Sequence, residues 1–279
     1  MDPLSKIDMS VNEFNDIRSL VYDAFGISLA EHKHSLVKSR LQKHLLRQGH
    51  GSYRDYINAV KADASGDALA TLANRISTNY TYFYRESPHF EFLSKTALPE
   101  ICSSLNEKGS KDLRMWCAGC SSGQEAYTLQ ILNMEHLGSD YSQWHAGLLA
   151  TDISTKALSY AMKAIYPKET VEKLPPKLRN AYFTSIDNEN LQVADKVRKE
   201  VMFRRFNLMT QNFPFSGKFQ VIFCRNVMIY FDRETRDALV ERYAQVMAPG
   251  GYLFIGHSET LGRDNDHFKY VMPAVYQRI

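Results

Sequence analysis

From residue 11 to residue 63, apolar side chains recur three and four positions apart. VNEFNDIRSLVYDAFG, HSLVKSRLQKHLLRQG and SYRDYINAVKAD carry that spacing, the first two close on glycine, and Ser52 stands where it can cap the third. The pattern predicts a small helical bundle over residues 1–75. In the second helix Val37, Leu41 and Leu45 share one face, while Arg40, Lys43 and Arg47 line another stripe. Such a stripe reads equally as a solvated helix surface or as a groove for an acidic partner.

Beyond residue 110 the period changes. LRMWCA, GLLATDI, VMFRRFN, FQVIFC and GYLFIG are apolar runs of strand length, and helical stretches such as SGQEAYTLQILNMEHLG and ETRDALVERYAQVMAPGG separate some of them. The alternation predicts an α/β fold with a doubly wound, largely parallel sheet. FKYVMPAVYQRI offers two short strands around Pro273, an antiparallel C-terminal hairpin closing one edge. The stretch between Asp152 and the third strand is too long for one crossover helix and is interrupted by Pro175 and Pro176, so a small inserted subdomain is expected at about 166–200. The catalytic domain is expected over 96–279, with 76–95 as an interdomain linker that contacts the cofactor.

The chain has 279 residues, 44% of them hydrophobic and 23% charged, enough for a large domain plus a smaller one. A net charge of +3 is too mild to point to nucleic acid. The opening MDPLSKIDMS has no apolar signal core, and no apolar run approaches the ~20 residues needed to span a bilayer, which implies a cytoplasmic protein without membrane insertion. Four cysteines, Cys102, Cys117, Cys120 and Cys224, do not make a disulfide framework. Cys117 and Cys120 form a C-x-x-C, but a structural zinc site needs a second ligand pair and a redox pair normally opens a helix in a thioredoxin-like setting. Buried or loop thiols, and no metal, are the expectation.

In such a sheet, ligands bind beyond the carboxyl ends of the strands. Gly119, Gly123 and Glu125 follow the first strand, Asp152 the second, Asn207 the third, and Arg225 with Asn226 the fourth. An acidic residue ending the second strand, about 30 positions past a glycine loop, is the acceptor a pair of ribose hydroxyls needs, so a nucleoside-containing cofactor is expected. The spacing Gly119-x-x-x-Gly123 is too open for a pyrophosphate, and a carboxylate in the first turn of the following helix suits a cationic cofactor better than an anionic one.

Taken together, STNYTYFYRESPHF (77–90), CAGCSSGQEAYT (117–128), ATDIS (150–154), FCRNVMIYFD (223–232) and GGYLFIGHSE (250–259) resemble the chemotaxis receptor methyltransferase family, CheR. The match runs in order over nearly the whole chain. The resemblance implies a Rossmann-like methyltransferase that moves a methyl group from S-adenosylmethionine to glutamate side chains of methyl-accepting chemotaxis receptors, leaving S-adenosylhomocysteine. It implies that Asn79, Thr81 and Arg85 reach the cofactor, Arg85 near its carboxylate. It places Glu125 at the cofactor's amino acid end, Asp152 at the ribose, Asn207 and Leu208 beside the adenine, and Arg225 with Asn226 beside the sulfonium. Arg85 and Tyr230 are the catalytic candidates, and Arg40, Lys43 and Arg47 the candidates for docking the helical receptor region. Where the family often has Glu-Glu-Pro-Tyr, this chain has Gln124, Glu125, Ala126 and Tyr127, losing the proline. After Phe183 the segment TSIDNENLQ is short, which speaks against the receptor-tether binding of some members. A monomer is expected.

A glutamate side chain, with a reference pKa of about 4.3, is already an anion at neutral pH and needs no general base. The demand is alignment in a dry site, to which an aromatic wall such as Tyr230 can contribute. His257 is expected to be a satisfied residue following a strand, without a catalytic role. The rival expectations are a methyltransferase acting on nucleic acid or a small molecule, and a cofactor-binding module without catalysis.

Overall fold

The computed structural model describes residues 7–77, 80–262 and 265–279. It divides into two compact units: residues up to 79 with Asn207–Met209 and Tyr230–Arg236, and Tyr80–Phe206 with Thr210–Ile229 and Asp237–Ile279.

In the first unit, α1 (Val11–Phe25) opens with a capping box in which the Ser10 hydroxyl accepts from Glu13 N–H and the Glu13 carboxylate accepts from Ser10 N–H. It ends at Gly26, whose φ of +69° lies in the left-handed region. A 3₁₀ turn over Glu31–Lys33 leads into α2 (His34–Arg47), and Ser52 caps α3 (Tyr53–Ala62) by accepting from Asp55 N–H at 3.1 Å. The structure adds a helix the sequence pattern did not give, α4 (Asp67–Ile76). Ile17, Val21, Val37, Leu41, Ile57 and Leu72 are all fully buried, one from nearly every turn that faces inward.

Two later segments complete this unit. Ile27 forms an antiparallel bridge with Phe231, Ser28 N–H donates to the Tyr230 carbonyl at 2.8 Å, and the Asn207 amide donates to the Ala24 carbonyl at 2.7 Å. The Tyr22 hydroxyl donates to Asp232 at 2.8 Å. Gly26 is needed here for space as well as for φ, since a Cβ on it would stand 2.5 Å from Met209 Sδ.

The second unit begins with α5 (Ser87–Phe92), which continues through a wide π-type turn at Leu93–Ala97 into α6 (Leu98–Glu107). Then come β1 (Met115–Ala118), α7 (Gln124–Leu137), β2 (Leu148–Asp152) and α8 (Thr155–Lys163). The next stretch holds β3 (Ile165–Pro167), α9 (Lys168–Val171), α10 (Pro176–Tyr182), β4 (Phe183–Ser185), β5 (Asn190–Val193) and α11 (Asp195–Arg198). The chain finishes with β6 (Val201–Arg205), β7 (Phe219–Cys224), α12 (Arg233–Val246), β8 (Met247–Ile255), β9 (Phe268–Met272) and β10 (Val275–Arg278).

The main sheet has seven strands in the order β6-β2-β1-β7-β8-β10-β9. The first five are parallel, and β10 pairs antiparallel with both β8 and β9. All five apolar runs of the sequence are strands of this sheet, and the hairpin around Pro273 closes its edge. α12 is shorter than its periodicity suggests, because β8 already starts at Met247. Between β2 and β6 lies a second, three-stranded antiparallel sheet, β3-β5-β4. Every residue of β1 is buried, as a central strand covered on both faces requires. Strand order reverses at β1, between β2 and β7, which puts the topological switch point at the carboxyl ends of β1 and β7. Among the described residues no helix is long and apolar enough to cross a membrane.

Candidate cofactor site

The loop after β1 is folded by glycine and then pinned to β2. Gly119 (φ +87°) lies so close to Val227 that a Cβ would meet its Cγ2 at 2.5 Å, and Gly123 (φ +95°) would place one 2.8 Å from Ala161 Cβ and 2.9 Å from the Tyr166 hydroxyl. Gly119 and Cys120 donate their N–H groups to the Thr151 carbonyl at 2.8 and 2.9 Å. Asp152, at the end of β2, accepts from Ser121 N–H at 2.8 Å on one oxygen and from Ser154 N–H at 2.9 Å on the other. Each oxygen keeps a spare lone pair, so the carboxylate is aimed by the backbone and still able to accept. Burial pushes its pKa up, against the backbone N–H groups of Ser154, Ser121 and Ile153 that favour the anion.

Arg225, just past β7, is the hub of the site. Its side chain is 1% exposed; Nη1 donates to Glu125 Oε2 at 2.8 Å, and Nη2 lies 2.9 Å from Glu86 Oε2 and donates to the Arg85 carbonyl. The guanidinium carbon sits 5.3 Å from the centre of the Phe90 ring. Its Nε is buried without a hydrogen-bond partner. Glu125, in the first turn of α7, accepts on its other oxygen from the Cys117 thiol at 3.3 Å. Burial raises the Glu125 pKa against the pull of Arg225. For Glu86, burial also pushes upward, but the charge and hydrogen bond of Arg225 outweigh it and the pKa is lowered.

A second carboxylate shapes the loop after β7. Glu259 is buried and accepts from the backbone N–H groups of Asn226 and Ile229, both at 3.0 Å, and from Gly256. Asn226 is held at φ +58°, and its side-chain amide lies 3.4 Å from Glu86 Oε1. Gly256 has to be glycine for this, since a Cβ would stand 2.5 Å from Asn226 Nδ2. Glu86, Ser121 and Asn226 all have positive φ without being glycine. Glu86 and Asn226 belong to the Arg225 ion cluster, and Ser121 lies beside Asp152.

The structure thus brings Arg85, Glu125, Arg225 and Asn226 together, and ties the loop of Gly119 to the end of β2, Gly119 through the Thr151 carbonyl and Ser121 through Asp152. The Arg85 guanidinium donates to the Tyr80 carbonyl at 2.6 Å and its Nε lies 3.9 Å from Glu86, so it is anchored in its own turn. Thr81 is half-buried at the start of that turn. Asn79 lies outside the described residues. Asn207, Leu208 and Tyr230 belong to the first unit; the Asn207 amide is engaged at both ends, with Ala24 and with Met209 N–H. In α2, Lys43 and Arg47 are exposed, whereas the half-buried Arg40 donates to the carbonyl of Ile76 at the end of α4. All four cysteines are free and buried, and burial raises the thiol pKa of each. Glu86, His89 and Glu259 were not found from sequence. The first directly follows Arg85 and the last closes the quoted GHSE, so proximity to the motifs was their only signal.

Residues 79–276 match the family model described as CheR methyltransferase, SAM binding domain, and residues 12–77 that of the CheR methyltransferase, all-alpha domain. The chain belongs to the CheR methyltransferase family. It is 39% identical over 272 residues to a chemotaxis protein methyltransferase of Borreliella burgdorferi, covering 98% of this chain and 96% of the relative. A probable chemotaxis protein methyltransferase of Rhizobium etli is 37% identical, covering 89% of this chain and 92% of its own. That of Escherichia coli is 31% identical, covering 97% and 92%. The cofactor of this CheR protein is S-adenosylmethionine, and the enzyme is a methyltransferase of chemotaxis.

Proposed function

We propose that the protein methylates glutamate side chains of methyl-accepting chemotaxis receptors, forming glutamate methyl esters. Full-length similarity to chemotaxis protein methyltransferases carries this proposal. The donor set of the site fits the cofactor: two carboxylates with spare acceptor capacity for a hydroxyl pair and an ammonium group, and the unpartnered Arg225 Nε. Bound S-adenosylmethionine supplies a methyl group carried on a positively charged sulfur.

Within this proposal Asp152 accepts from the ribose hydroxyls and Glu125 from the ammonium group, while Arg85 serves the cofactor carboxylate. Arg225 keeps the buried carboxylates of Glu86 and Glu125 compensated. Glu259 holds the turn of Asn226 from behind. A receptor glutamate arrives as an anion, so no residue here has to remove a proton from it. Lys43 and Arg47, with Arg40 beside them, offer cations at helical spacing to an acidic receptor helix.

Methyl-labelled cofactor should transfer label to receptor-enriched membranes, and mild alkali should release it as volatile methanol. Label that resists alkali, or that enters nucleic acid or small molecules instead, overturns the proposal.

A further inference from the structure

Glu86, which precedes α5, His89 within α5, and His257 just past β8 converge although 171 positions separate Glu86 from His257. One carboxylate oxygen and one ring nitrogen from each histidine all lie within 4.8 Å of one another. His89 is fully buried, and its Nδ1 has no hydrogen-bond partner. That nitrogen faces Glu86 Oε2 at 3.6 Å, too far for a hydrogen bond. The opposite nitrogen, Nε2, approaches the Pro273 carbonyl at 3.4 Å, and a proton placed there by that neighbour leaves Nδ1 as a lone pair. His89 Nδ1 and Glu86 Oε2 then face each other as two acceptors, and Oε2 also accepts from the His257 backbone N–H at 3.3 Å.

Neutral imidazole and ionised carboxylate are the ligand forms of both groups. His257 stands edge-on to His89, ring centres 4.6 Å apart, with its Nε2 4.0 Å from Glu86 Oε2. Its side chain is 46% exposed, which gives an ion a way in and the ring freedom to swing.

We propose that Glu86, His89 and His257 form a three-ligand site for a transition-metal dication of the zinc class. Two imidazoles and one carboxylate, with a fourth position left to solvent, are a donor set of open zinc sites, whereas calcium and magnesium select oxygen. Bonds of about 2.0–2.2 Å need the ligand atoms closer together than they stand, and the half-exposed His257 supplies that movement. Arg225 shares the same Glu86 oxygen at 2.9 Å, so the ion and the guanidinium compete for it. Arg225 keeps its second partner, Glu125 Oε2, at 2.8 Å. Metal binding therefore loosens the tie between the loop after β7 and α5, and should lower cofactor affinity.

Cobalt titration of the chelator-treated full chain tests this. One equivalent should develop visible ligand-field bands without a near-ultraviolet thiolate band, and zinc should displace it. His257→Ala should weaken cobalt binding about tenfold or more, with an unchanged circular dichroism spectrum, and Glu86→Gln, which keeps the side-chain shape, should do the same. Calorimetry should find weaker S-adenosylmethionine binding with one equivalent of zinc than without. Absent bands, a thiolate band, or equal affinity in a folded His257→Ala protein overturns the site; the wild-type spectrum decides the first two even if a variant fails to fold.

Discussion

Arg225 Nη1 lies 2.8 Å from Glu125 Oε2, joining the end of β7 to the first turn of α7, and neither side chain is more than 14% exposed. Removing one partner of such a pair leaves a buried charge uncompensated, which costs far more than the pair itself contributes. Arg225→Met should therefore destabilise the fold by about 3–5 kcal/mol, read from urea unfolding. Adding Glu125→Gln should recover part of the loss. Additive effects of the two substitutions would show that the residues do not act as a unit.

Asp152→Ala should lower S-adenosylmethionine affinity by about 1–3 kcal/mol, because donors that it accepted from are left unpaired. The same change removes the anchor of Ser121 and Ser154, so calorimetry should be paired with a thermal melt. Unaltered affinity would take Asp152 out of the cofactor site.

Gly123→Ala combines a left-handed backbone with a collision against Ala161 and Tyr166, whereas at Gly49, also at positive φ (+79°), nothing lies within 4 Å of an added Cβ. Gly49→Ala should cost about 1 kcal/mol and Gly123→Ala about 1–3 kcal/mol more. Equal costs in denaturant unfolding would mean that α8 and β3 yield to the extra methyl.

Thiol chemistry should report burial. Cys102 is 6% exposed and burial raises its pKa to about 11. Since the thiolate is the nucleophile, a raised pKa means less of it at pH 8, and labelling of the native protein should keep accelerating about tenfold per pH unit above pH 8.5, where an ordinary thiol levels off. A plateau near pH 8.5 would contradict the burial of this group.

For the docking stripe, Lys43→Glu with Arg47→Glu is the informative pair, because Arg40 also closes the end of α4 and its reversal would mix recognition with folding. The pair should raise the KM for receptor, leave cofactor affinity unchanged, and weaken the fall of activity with salt. An unchanged KM would return α2 to the status of a solvated face.

The parallel strands were legible because β1, β2, β7 and β8 hold largely buried apolar runs and β6 alternates buried Val201 and Phe203 with exposed neighbours, and the glycine loop and Asp152 were legible because they follow such runs. α4 was not, since Gly66 at its start supplies no side-chain cap and its face is built largely from alanine. The helical stretch from Ser87 to Glu107 was hidden by Pro88 and Pro99, each in the first turn of a helix where proline is tolerated. Glu86 and Glu259 escaped notice for a different reason. Their partners are Arg225 and backbone amides, and Asn226 alone is 140 positions from the one and 33 from the other. Ion clusters closed by tertiary structure leave no periodicity behind.

The family boundary near residue 78 suggests a clean cut for exchanging the helical part between related enzymes, but the bridge from Ile27 to Phe231, the Asn207–Ala24 bond and the fit of Gly26 against Met209 cross it in sequence. A chimera spliced only at that boundary would inherit mismatched halves of one packed unit. Transplanting Asn207–Met209 and Tyr230–Arg236 along with the helices keeps the graft whole, so recombination between paralogues is expected to succeed when these three stretches travel as one cassette.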